Sequence, residues 1–184
     1  AVCATDLAER GLLRGNTVVS TVMCNLGFEV AMRERGINVV KTKVGDRYVL
    51  EQMLAMEATL GGEQSGHVIF LEHNTTGDGL VTALQLAAAC VESGRPLSEL
   101  ARVMTRYPQV LVNVRVSDKT RLATSAAIAA AVHAAEERLG DSGRVLVRAS
   151  GTEPLVRVMA EASEQTVADE VVRELVRIVE KELG

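Results

Sequence analysis

The sequence predicts a layered α/β domain with a largely parallel or mixed sheet, followed by a smaller α+β domain. Up to Gly94, short β-branched runs alternate with amphipathic helical segments, the rhythm of βαβ units. After Tyr107-Pro108 that rhythm gives way to a strand, an alanine-rich helix, two closely spaced strands and a final helix. The boundary is therefore placed near Pro108, with domains 1–108 and 109–184.

Taken in order, 5–13 reads as a helix and Asn16 as a turn before a strand over 17–22. Residues 26–35 are helical and stop at Gly36; 37–41 is a β-branched strand and 47–57 a second amphipathic helix. A strand follows over 67–71. Asp78 then caps a helix that runs through Leu80, Leu84, Leu86 and Cys90 to Gly94, with Pro96 as a stop. In the second domain, a strand over 110–116 leads to the alanine-rich helix, which ends near Gly140. Strands at 145–147 and 155–158 flank a turn. The last helix, 163–183, carries one apolar stripe of Val167, Val171, Leu175, Ile178 and Val179.

Composition narrows the function classes. With 184 residues, 47% of them hydrophobic, the chain can bury one large core or two small ones. A net charge of −4 and the absence of Trp, with only two Tyr and two Phe, argue against nucleic-acid binding. Cys3, Cys24 and Cys90 are scattered, with no C-x-x-C spacing, which favours a reducing compartment and buried structural thiols over disulfides or a metal site. No apolar run approaches the ~18 residues of a membrane span.

The most informative stretch is Arg148-Ala149-Ser150-Gly151-Thr152-Glu153-Pro154-Leu155-Val156-Arg157. Strand parity sends Val145, Val147, Val156 and Val158 to the buried face and frees both arginines on the other. The Ser-Gly-Thr turn offers hydroxyls and backbone N–H groups, with Gly151 permitting angles that aim N–H groups into one concavity. Arg148 and Arg157 add planar forks that match phosphate oxygens in pairs. Each such charge-assisted bond contributes about 1.5–3 kcal/mol. The alternative is a surface hairpin with two solvated arginines.

A second glycine-bounded stretch, Gly61-Gly62-Glu63-Gln64-Ser65-Gly66-His67, brings a carboxylate able to accept from vicinal hydroxyls. Ser65 lies beside it, and His67 can meet a phosphate as a cation or a hydroxyl as a neutral base. By itself this loop also reads as a solvated polar turn. In Val44-Gly45-Asp46-Arg47, Arg47 can contact phosphate near a helix N-terminus, while Asp46 reads first as the cap of the helix beginning at Arg47. His73 and His133 read as structural or surface residues, and Asp78 as a cap before a catalytic acid.

The arginine loop and Gly61–His67 resemble the phosphate- and sugar-binding loops of the α-D-phosphohexomutases. Thr17–Met23 with Asn25-Leu26-Gly27, Val44–Val49, and Thr76-Gly77-Asp78-Gly79-Leu80 match further stretches in the family's order. Cys24 stands where that pattern has serine. The resemblance implies that the chain is the family's third and fourth domains, the fourth having a TATA-box-binding-protein-like fold. It implies that Arg148, Ser150, Gly151, Thr152 and Arg157 hold the non-reacting phosphate. Glu63 and Ser65 would hold the sugar 3- and 4-hydroxyls, with His67 as the catalytic-site histidine, and Gly45, Asp46 and Arg47 would lie on the cleft near the far end of the substrate.

Gln64 points within the family to hexosamine phosphate, interconverting glucosamine 6-phosphate and glucosamine 1-phosphate; mannose and glucose phosphates are the alternatives. The family's phosphoserine and its Asp-x-Asp-x-Asp magnesium loop have no counterpart in the sequence. The resemblance therefore implies that Mg2+ binds outside this chain, in the preceding N-terminal domains of a longer cytoplasmic enzyme. This piece is then expected to be inactive alone, with a hexosamine phosphate and those domains as partners. A free-standing sugar-phosphate-binding module and an interaction domain for an acidic partner are the other readings.

Overall fold

The computed structural model describes residues 1–184, which form two compact units, Ala1–Arg106 and Tyr107–Gly184. The expected α/β domain with a mixed sheet, followed by a smaller α+β domain, is borne out.

In the first unit, α1 (Val2–Glu9) leads through a 3-10 turn to β1 (Thr17–Thr21). Then come α2 (Leu26–Glu34), β2 (Asn38–Thr42), α3 (Asp46–Met56), β3 (Leu60–Gly62), β4 (Val68–Phe70) and α4 (Gly79–Ser93). A short helix, α5 (Leu97–Leu100), follows. The sheet order is β2-β1-β3-β4, with β1 parallel to β2 and β3, and β4 antiparallel to β3. β1 is central and every one of its residues is buried. Its alternation divides the core: Val18 packs with Ala4, Leu7, Ala31, Met32 and Phe70 on one face, Val19 with Val49, Met53 and Ile69 on the other. Helices thus cover both faces, as a parallel sheet requires.

Several elements differ from expectation. β3 was not foreseen, because Leu60-Gly61-Gly62 is short and glycine weakens a strand. Tertiary packing demands the glycine: a Cβ on Gly61 would run into the Met53 sulfur and lie 2.9 Å from Val49 Cγ1, both on α3. Asp46 is not the cap of α3. Gly45 holds that position, Asp46 is the first helical residue, and its Oδ1 accepts the N–H of Arg47 (2.7 Å). Asp78 does cap α4, accepting the N–H groups of Leu80 (2.8 Å) and Val81 (3.1 Å), and Gly94 closes the helix in the left-handed region. The face of α4 carrying Leu80, Leu84 and Val91 is exposed, and Ala89 is its buried residue. Thr82, Gln85, Glu92 and Ser93 share one side of that helix and Leu80, Leu84 and Val91 the opposite one, so periodicity would have turned the wrong face inward. Of the three thiols only Cys24 is buried, and none forms a disulfide. No helix is long and apolar enough to cross a membrane.

The second unit consists of β5 (Gln109–Arg115), a 3-10 turn over Lys119–Thr124, α6 (Ala126–Leu139), β6 (Gly143–Ala149), β7 (Leu155–Ala162) and α7 (Gln165–Leu183). Its antiparallel sheet has the order β5-β7-β6. Val114, Val156, Val158 and Ala160 form its core with Ile128, Leu139, Val171, Leu175 and Val179 of the helices. The apolar stripe of α7 is therefore the buried one. On the opposite face, Arg144 donates to Glu161 (2.7 Å), a carboxylate with no solvent exposure.

Candidate functional site

Each unit carries one candidate site. In the first, parallel strands β1, β2 and β3 end at one edge of the sheet, where open α/β sheets place their ligands. Side chains cross between the strand ends there: Ser20 Oγ donates to Gly62 O (3.0 Å), and the Thr42 hydroxyl, which donates to Lys43 O (2.8 Å), lies 3.3 Å from Ser20 O. The loops after β2 and β3 are joined across the end of β1 by Glu63, whose Oε1 accepts the Gly45 N–H at 2.9 Å. The turn itself is closed by Glu63 N–H to His67 O (2.8 Å) and Gly66 N–H to Glu63 O (3.1 Å). Gln64 and Ser65 project into solvent at its tip.

His67 returns from that turn towards α3, and its Nε2 lies 3.6 Å from Asp46 Oδ2. This nitrogen is sealed from solvent and makes no hydrogen bond, although the ring as a whole is partly exposed. The ring rests directly on the backbone of Gly77: a Cβ there would overlap Cδ2 and stand 2.7 Å from Nε2. Gly45, Asp46, Glu63 and His67 are thus brought together. Arg47 is not; its side chain is 81% exposed and paired with Glu51 on α3 (2.7 Å). Lys41 is paired with Glu29, His73 with Gln85, and His133 lies beside Glu137.

The second site is the β6–β7 turn. Register places Arg148 directly across from Arg157, and Asn113 of β5 continues the row. Burial first, and then the Arg157 charge opposite, pull the Arg148 guanidinium below its ordinary value. Arg157 Nε is buried without a partner, and at the other end of the guanidinium Nη2 stands 3.7 Å from Glu153 Oε2. Two like charges are held face to face, and one buried donor, Arg157 Nε, is unsatisfied.

The turn is ordered by its own bonds. Ser150 N–H donates to Leu155 O (2.9 Å), Leu155 N–H to Glu153 O (2.9 Å), and Glu153 N–H to Ser150 Oγ (3.3 Å). Ser150 is buried, yet its hydroxyl proton stays available. The N–H groups of Gly151 and Thr152 have no partner within the chain. Gly151 does not adopt a left-handed conformation, and nothing lies within 4 Å of where its Cβ would be. Its lack of a side chain opens space above the turn rather than permitting an unusual backbone. The motif reading missed Lys119 and Gly77. Lys119 Nζ donates to the carbonyls of Ser150 (2.7 Å), Gly151 (3.3 Å) and Glu153 (3.1 Å). No local signal marks a lysine more than thirty residues from its partners.

These donors suit a phosphate monoester: two forks, two N–H groups and hydroxyls around an open space. No three His, Cys, Asp or Glu side chains gather where they could hold a metal ion.

Comparison with known proteins agrees with this division. Residues 1–107 match the family model for the phosphoglucomutase/phosphomannomutase alpha/beta/alpha domain III, and residues 111–178 that for the phosphoglucomutase/phosphomannomutase C-terminal domain. The chain belongs to the phosphoglucomutase/phosphomannomutase family. It is 63% identical to the phosphoglucosamine mutase of Frankia alni over 179 residues, covering 97% of this chain and 39% of that protein. Against the phosphoglucosamine mutase of Thermobifida fusca it is 59% identical over 184 residues, covering all of this chain and 41% of that protein. The chain therefore spans about two fifths of the length of the curated relatives it matches. Among solved structures, Aspergillus fumigatus N-acetylphosphoglucosamine mutase in complex with GlcNAc-6P and magnesium superposes with a TM-score of 0.79 at 21% identity. That match covers 97% of this chain and 45% of that one.

Proposed function

We propose that this chain supplies the sugar- and phosphate-binding portion of a phosphoglucosamine mutase, an isomerase that interconverts glucosamine 6-phosphate and glucosamine 1-phosphate in the cytoplasm. The observation that carries the reading is the facing pair Arg148 and Arg157, with a buried, unpartnered Arg157 Nε beside the free N–H groups of Gly151 and Thr152. Like charges held opposite each other destabilise a sheet. A dianion between them removes the repulsion and satisfies the donors.

In this reading Arg148, Ser150, Gly151, Thr152 and Arg157 hold the phosphate that is not reacting. Glu63, with one oxygen fixed by Gly45, turns the other towards a sugar hydroxyl, and Ser65 joins it from the turn tip. Holding the sugar by its 3- and 4-hydroxyls lets the bisphosphorylated intermediate reverse its orientation, because those two groups occupy similar places either way. His67 stands by Asp46 to exchange a proton with the reacting end. Asp46 flanks that end, and Arg47 follows it in α3 with its side chain paired to Glu51. A bound magnesium ion would offset charge on the transferring phosphoryl group, held together with the phosphoserine by parts of the parent enzyme outside this chain. Glucosamine phosphate and those parts are the partners proposed here.

Calorimetric titration with glucosamine 6-phosphate tests this. The wild-type chain is expected to bind weakly, Arg148→Ala to abolish the heat, and Glu63→Ala to lose less. Equal affinity for inorganic phosphate and the sugar phosphate, unaffected by Glu63→Ala, would refute the sugar site.

A further inference from the structure

We infer that Lys119 is a positioning residue for phosphate capture: it does not contact the anion but turns the β6–β7 loop so that its N–H groups face it. The inference rests on the phosphate-binding reading of that loop.

An ammonium group has three N–H donors. Those of Lys119 reach three carbonyls of one turn, Ser150 (2.7 Å), Gly151 (3.3 Å) and Glu153 (3.1 Å), so none is left for a ligand. In a planar trans peptide, the carbonyl of one residue and the N–H of the next point in opposite directions. Drawing the Ser150 carbonyl towards Lys119 therefore sends the Gly151 N–H the other way. Drawing in the Gly151 carbonyl does the same for the Thr152 N–H. Those are the two loop N–H groups without a partner inside the chain. The third carbonyl, of Glu153, precedes Pro154, which has no N–H to direct. Two successive N–H groups aimed to one side form an anion-binding concavity.

The lysine is itself held in place. It opens the 3-10 turn Lys119–Thr124, and Asp118 fixes that turn by accepting both the N–H (2.9 Å) and the hydroxyl (2.6 Å) of Thr120. A lysine used as a point charge for phosphate would leave its ammonium towards the ligand. This one lends its charge to the carbonyl side of the turn instead. The ligand class follows: a phosphate monoester dianion, which the loop's N–H groups and the Arg148–Arg157 pair meet together.

The test uses the 15N-labelled chain as wild type, Lys119→Met and Lys119→Arg, titrated with inorganic phosphate and with glucosamine 6-phosphate. Lys119→Met is expected to weaken binding about tenfold or more, the loss of at least one charge-assisted bond's worth of loop order. It should also broaden or shift the Gly151 and Thr152 amides before any ligand is added, while the Leu175 amide in α7 keeps its protection. Lys119→Arg, which keeps charge and donors, should restore both properties in large part; if Lys119→Met does not fold, comparing Lys119→Arg with wild type decides the matter on the same amides. Weaker binding with unchanged ligand-free loop amides would make Lys119 a direct ligand and overturn the inference. Unchanged affinity with unchanged amides would also overturn it. If the wild type binds neither compound, the phosphate reading fails. The clamp is then judged on the ligand-free amides: released in Lys119→Met it stands, unmoved it falls.

Discussion

Replacing Arg157 by methionine is expected to stabilise the second unit while removing its affinity for phosphate. Arg157 faces Arg148 across β6 and β7, and like charges directly opposite cost about 0.2–1 kcal/mol. Its Nε is buried without a hydrogen bond, a penalty of about 1–3 kcal/mol. Against this stands only the Glu153 contact at 3.7 Å, a partly exposed pair of the kind that contributes about 0–1 kcal/mol. Methionine keeps an aliphatic stem of similar reach and carries no donor. Because 34% of the Arg157 side chain is exposed, the lower end of the range applies, a gain of about 1 kcal/mol. For a domain of this size that raises Tm by about 4–8 °C.

The assay is thermal unfolding in phosphate-free buffer and again with added phosphate. At ten times Kd, phosphate stabilises the wild type by about 1.4 kcal/mol, a shift that Arg157→Met should lose. The two effects have opposite signs, so a general disruption cannot mimic them. A variant that melts below the wild type without phosphate, or that keeps the phosphate shift, would refute the account of a site held in electrostatic tension.

Two further outcomes are expected. Gly77→Ala should force the His67 ring off the backbone it rests on; a displacement of about 1 Å at a reacting group costs on the order of a hundredfold in turnover of the parent enzyme, and an unchanged His67 ring resonance in this chain would contradict it. Asp118 is held below the ordinary aspartate range by the Thr120 hydroxyl and then its N–H. A depressed carboxylate contributes stability above its unfolded value that is lost as pH falls through the lower folded one. The Thr120 amide should therefore titrate below the ordinary aspartate range, and Asp118→Asn, which keeps a capping oxygen, should abolish that titration; a midpoint at or above the ordinary range would refute the cap's hold on the turn that carries Lys119.

Much of this molecule is legible in one dimension. The valines of β6 and β7 alternate, so the sequence alone determines that Arg148 and Arg157 share a face and that the turn between them is polar. The heptad-like stripe of α7 and the cap at Asp78 are equally local, because strand pleat, helix pitch and capping act within a few residues. What resisted were features whose cause lies across the fold. β3 hides in a pair of glycines, Gly61 pressed by Met53 of α3 and Gly62 by the His67 carbonyl and Val68 of the neighbouring strand. The inward face of α4 runs against its own pattern, since the apolar side with Leu80, Leu84 and Val91 is the exposed one. Gly77 looks like any loop glycine until the imidazole of His67 is laid on it. Lys119 and the carbonyls it draws in become neighbours only once β5 has paired with β7 and β7 with β6. Local patterning therefore determined which groups gather at the β6–β7 turn, and only the tertiary structure decided which way they point, because a peptide's orientation is set by whatever holds its carbonyl.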